Sequence, residues 1–239
     1  MVYNNNPISR LQNIIEDILN SEGHYGREIL GNIFNIERND TASLYSILID
    51  LIHLVRESRN QIERLSDNDI YLEPIVNVER AILRLELDSS LSNFKSSLGE
   101  HTLYGLKFSA DLITRKYGEV TIDEQTIASI QQDVDALIEK LFNSNLPDSL
   151  RDILIEKLHN IRTAIIKVRI TGIDGLKQAL ESSAGALFLH RDEVIKNNEN
   201  EDVQGTISLL DKLNKIVSIG NSVKELVSFS KSLFLSPPE

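Results

Sequence analysis

The reading of this chain turns on residues 146–186, LPDSLRDILIEKLHNIRTAIIKVRITGIDGLKQALESSAGA. Apolar residues recur at helical spacing and Pro147 stands at the start, where a missing N–H costs little, so the first part reads as a long helix. Thr171-Gly172 is a break. A second helix follows, carrying small residues at steps of three or four: Gly172, Gly175, Ala179, Ser183 and Ala186. Such a row lets another helix backbone approach closely. It predicts either a tight internal helix pair or a face for a dimer or partner.

The first helix of this stretch also aligns three arginines. At 3.6 residues per turn, Arg151, Arg162 and Arg169 fall within about 20° of one another. Leu158 lies on one side of the line, Ile155 and Ile166 on the other, so the guanidinium groups are not on the open polar face. A half-buried arginine needs a partner. That partner is either a carboxylate of a neighbouring helix or a bound anion, since the guanidinium fork suits planar anions and phosphate. Gly172, at the start of the second helix, would add free N–H groups to an anion site.

Outward from this stretch the same periodicity covers nearly the whole chain. Pro7 opens a helix through Ile8, Leu11, Ile15 and Ile18. A short helix is expected over residues 25–34. Asn39 or Asp40 caps a long one through Leu65, and Ser66-Asp67-Asn68-Asp69 is a turn. Pro74 fits the first turn of the next helix. The Ser-rich residues 87–99 read as a hinge or kinked connection. A helix over 100–117 ends at Gly118. Thr121 with Glu124 three residues on reads as a capping box for the helix through Leu141. Residues 119–122 alternate but are too few for a strand. The helix after Gly172 reaches Val194, residues 196–202 are polar loop, and a last helix spans 203–233 with a break at Gly220. Ser236-Pro237-Pro238 reads as a frayed end.

These elements predict an all-α fold, a bundle of about eight or nine mostly antiparallel helices or a short α-solenoid. The expected division is residues 1–95 and 96–239, or one continuous domain.

Bulk composition narrows function by exclusion. The 239 residues carry a formal net charge of -11, 41% hydrophobic residues, no cysteine and no tryptophan. Without cysteine, disulfides, thiolate metal sites and thiol nucleophiles are out. An acidic chain with 5% aromatics is a poor non-specific nucleic-acid binder, because its field repels phosphate. No leader pattern opens the sequence and no apolar run reaches membrane-spanning length, so a cytoplasmic protein off the membrane is expected.

No catalytic or metal motif is present. His24, His53, His101, His159 and His190 are scattered, and Glu156 with His159 forms a single E-x-x-H where a di-iron bundle needs two. The Arg-to-His spacing of helical HEPN-class ribonucleases is also missing. No cofactor is expected. The all-helical, motif-free, Ile- and Asn-rich chain resembles accessory proteins of bacterial defence or mobile-element operons in style alone, with no motif behind it. The expected function is a non-catalytic interaction module: an adaptor, an immunity- or antitoxin-like partner, or a complex subunit, with a protein partner or a second copy. The alternative is a nucleotide- or anion-binding sensor using Arg151, Arg162 and Arg169.

Overall fold

A computed structural model describes residues 2–66 and 69–217. Expectations for the rest of the last helix, its break at Gly220 and the Ser236-Pro237-Pro238 end lie outside these residues. In chain order the elements are β1 (Val2–Asn4), α1 (Pro7–Asn20), α2 (Gly26–Phe34), α3 (Thr41–Glu63), α4 (Asp69–Ile82), α5 (Ser92–Ser97) and α6 (Glu100–Tyr117). They continue with β2 (Thr121–Asp123), α7 (Glu124–Phe142), α8 (Asp148–Ile166), α9 (Val168–Leu189), α10 (Arg191–Lys196) and α11 (Glu201–Val217). The fold is all-α. Its short helices α5 and α10, six residues each, are the ones that sequence periodicity does not register.

Local chemistry explains most helix ends. Asn6 caps α1, its Oδ1 accepting from the N–H groups of Ile8 (3.0 Å) and Ser9 (3.3 Å), and Pro7 takes the first helical position. Asp40 caps α3 through the Ser43 N–H at 3.1 Å. Gly118, at φ 76°, closes α6 by donating to the Thr114 carbonyl at 2.8 Å.

Four local expectations are corrected. Thr121 does not cap α7. Asp123 does, accepting from Thr126 N–H at 2.8 Å and from its hydroxyl at 2.7 Å. Thr121–Asp123 instead forms a strand paired with β1, burying Ile122 between two exposed neighbours. Pro74 stands inside α4 rather than in its first turn. Of the two readings of the Ser-rich stretch, it is a connection carrying α5 rather than a hinge. It is pinned to the start of α2 by Arg27 N–H to Leu87 O (2.7 Å), Gly26 N–H to Ser89 O (3.3 Å) and Leu91 N–H to His24 O (3.0 Å).

The chain divides into two compact units, and the division falls at 119/120 rather than at 95/96. The first unit holds Asn4–Glu119 and Arg169–Gly172. Here α1 packs on α3 and α6, and α4 packs on α3 and α6. Because α6 joins α1 and α4, a boundary at 95 would split one core. Ile8, Leu11, Ile15, Leu44, Leu51, Ile75, Val78 and Leu106 are fully enclosed in it. Each such side chain stabilises the fold by about 1.5–3 kcal/mol relative to exposure.

In this unit α4 lies close against α6. A Cβ added to Gly105 would overlap Cγ of Pro74, and the Ser109 hydroxyl lies 3.0 Å from the carbonyls of Tyr71 and Gly105. Residue 74 thus faces 105 and residue 71 faces 109, which makes the pair antiparallel. The second unit holds Val120–Val168, the chain from Ile173 onward and the first three residues. In it α7 packs on α8 and α11 around Ile130, Val134, Leu150, Leu158 and Leu213. No helix of the described residues is long and apolar enough to cross a membrane.

Candidate functional site

The arginine line is divided between the two units. Helix α8 ends at Ile166, so Arg169 stands in the next helix, and it belongs to the first unit while Arg151 and Arg162 belong to the second. Each has a carboxylate partner. Arg151 reaches Asp148 one turn before it in α8, at 2.7 Å. Arg162 reaches Asp135 of α7 at 2.8 Å. Arg169 pairs with Asp17 of α1, donates to the Ile33 carbonyl at 3.0 Å, and lies 5.8 Å from the ring centre of Phe34. These are structural bonds between helices or within one.

Gly172 is placed by a different arginine. Its backbone, at φ 64° and ψ -159°, lies in a region essentially reserved for glycine. A Cβ there would overlap the Arg10 guanidinium and sit 3.0 Å from the Asn4 carbonyl. Arg10 is buried, pairs with Glu57 at 3.0 Å, and donates to Asn4 O at 3.4 Å.

The rest of the small-residue row is a shoulder rather than a seam. Gly175, Ala179 and Ala186 are half-buried and only Ser183 is buried, its hydroxyl donating to Ala179 O at 2.7 Å. The core face of α9 is Ile173, Leu176, Leu180 and Leu187. Among the described residues α9 is not one of the closely packed helix pairs. The tight seam is on α6 instead, where Gly105 and Ser109 lie one turn apart. That spacing is visible in the sequence; which helix would meet it is not.

A further surface feature lies on the first unit. On the solvent side of the α4–α6 pair, Ile70, Tyr104 and Phe108 are 65%, 60% and 67% exposed. Tyr104 and Phe108 stand one turn apart on α6. The antiparallel register set by Tyr71 and Ser109 places Ile70 level with Ala110, within one turn of Phe108 along the pair. The signal in sequence was that both aromatics fall off the apolar stripe of Leu106, Ala110 and Ile113, which is buried. Beyond them on α6, Asp111 and Arg115 form an exposed ion pair at 2.7 Å. The face therefore has an apolar centre beside a charged margin.

The described residues contain no group of three or more His, Cys, Asp or Glu arranged to hold a metal ion. Neither protein-family models, nor curated proteins, nor solved structures yield a match to this chain.

Proposed function

We propose that the protein is a non-catalytic helical interaction module that docks a partner protein on the α4–α6 face. The supporting observation is the grouping of Ile70, Tyr104 and Phe108, each more than half exposed, beside a unit whose core is otherwise filled with Ile and Leu. Single exposed hydrophobics are ordinary, whereas a cluster with two aromatics is the composition that anchors interfaces. The net charge of -11 favours a basic partner, in the manner of an adaptor or an immunity-like protein.

The test compares the wild type with a Tyr104→Ser/Phe108→Ser variant. Both positions are solvent-facing, so the variant keeps its circular dichroism and melting temperature. Affinity capture from the source cells, with quantitative mass spectrometry, should recover a stoichiometric partner with the wild type and lose it with the variant. Equal recovery by both, or a lone monomer throughout, overturns the proposal.

A further inference from the structure

We propose that a cavity at the C-terminal end of α4 binds a small phosphorylated molecule through Arg80 and Arg84. The cavity, about 570 Å³ in volume, lies among the last turn of α4, the following loop and α5, all within the first unit. This is room for a nucleotide or a sugar phosphate.

The charges around it are arranged unequally. Of the carboxylates near in sequence, Glu79 accepts from Arg59 at 3.4 Å and Asp88 takes Arg27 at 2.7 Å, while Glu86 lines the cavity itself. The exposed side chains of Arg80 and Arg84 have no carboxylate or hydrogen-bond partner among the described residues, and both line the cavity. Arg10, Arg27, Arg38, Arg59, Arg115, Arg151, Arg162, Arg169 and Arg191 each hold an acidic partner, and neither Arg56 nor Arg64 lines this cavity. Arg80 stands in the last turn of α4 and Arg84 two residues beyond its end, and two guanidinium groups on one cavity can share the oxygens of a single phosphate.

The remaining walls define the rest of the ligand. Asn77 and Asn93 offer amide donors and acceptors. Glu86 also lines the cavity and accepts from the Ser89 hydroxyl at 2.6 Å. A carboxylate beside the arginines repels a bare polyanion but accepts hydrogen bonds from hydroxyl or amino groups. The ligand class is thus a phosphate monoester that also carries hydroxyls, such as a nucleoside monophosphate or sugar phosphate. Nothing in this inference rests on the aromatic face.

The experiment is calorimetric titration of the full chain with AMP, glucose 6-phosphate, inorganic phosphate and sulfate at equal ionic strength. Wild type should bind AMP or glucose 6-phosphate saturably and more tightly than phosphate or sulfate. Arg80→Gln/Arg84→Gln should weaken that binding by about tenfold or more, as loss of charge-assisted hydrogen bonds requires. Arg115→Gln, which removes the same charge elsewhere on the surface, should leave it unchanged. Absence of binding at millimolar probe, binding unchanged in the double variant, or an equal loss in Arg115→Gln overturns the inference. Tyr104→Ser/Phe108→Ser should bind the probe normally, which separates this result from the fate of the docking face.

Discussion

Gly172 and Arg10 occupy one another's space: the guanidinium of Arg10 lies where a side chain at residue 172 would have to be. Alanine there meets two penalties, a backbone conformation that L-residues avoid and an overlap with a buried, paired cation. Gly172→Ala should therefore lower stability by about 2–4 kcal/mol. Urea unfolding should show the loss as a lower midpoint. Gly185 is the contrast: it is helical, and an added Cβ meets no atom within 4 Å among the described residues. Gly185→Ala should raise stability by about 0.5–1 kcal/mol. Equal effects at the two glycines would dissolve the contact at Arg10.

The α4–α6 seam makes a second claim. Gly105→Ala should destabilise by about 1–3 kcal/mol, because Pro74 is a rigid ring and cannot fold away from the new methyl group. Thermal unfolding measures it. A neutral result would mean that α4 and α6 stand further apart than described.

Two of the arginines differ enough to be ranked. Arg169 is 15% exposed and holds Asp17, Ile33 O and the Phe34 ring. Arg169→Met should cost about 1.5–3 kcal/mol, since it removes charged hydrogen bonds in a shielded place. Arg162 is 45% exposed and holds Asp135 alone among the ion pairs of α8 with α7. Arg162→Met should cost about 1 kcal/mol or less, and 1 M salt should erase the difference. Denaturation of both variants at low and high salt tests the ranking; the reverse order would refute it.

Acid should weaken the protein in a defined window. The carboxyl of Asp88 is held below its ordinary range chiefly by its hydrogen bond to Arg27. Asp40 is lowered by the Ser43 hydroxyl and N–H, and Asp123 by the Thr126 hydroxyl and N–H. With folded values depressed, the unfolded chain takes up these protons first. The stabilisation is complete above the unfolded value of about 3.9 and is lost as pH falls through the folded values. Melting temperature should thus drop below about pH 4 on this account, and Asp88→Asn should make the drop shallower. A drop of the same steepness in Asp88→Asn would remove that carboxylate from the explanation.

What could be read directly from the sequence is what neighbouring residues decide among themselves. Pro7 starting α1, Asp40 capping α3, Gly118 ending α6 and the break at Gly172 all follow from dihedral limits and side-chain–backbone bonds within a few residues. The helical period of Ile and Leu carries the all-α class in the same way. The strand at Thr121 was not legible, because three residues become a strand only when β1 supplies the other half of the ladder.

The tertiary structure decided the partners. Whether an arginine is paired depends on which helix packs beside it: Arg162 meets Asp135, Arg169 meets Asp17, while Arg80 and Arg84 meet a cavity. Which row of small residues becomes a seam depends on the opposing surface, and Pro74 stands over Gly105 while the row on α9 remains a shoulder. Tyr104 and Phe108 were placed off the apolar stripe by their spacing, but only the packing of α4 left them uncovered with Ile70. Local geometry is set within a turn of chain; charge pairing and exposure are set by contacts between residues far apart in sequence, and those exist only once the helices have packed.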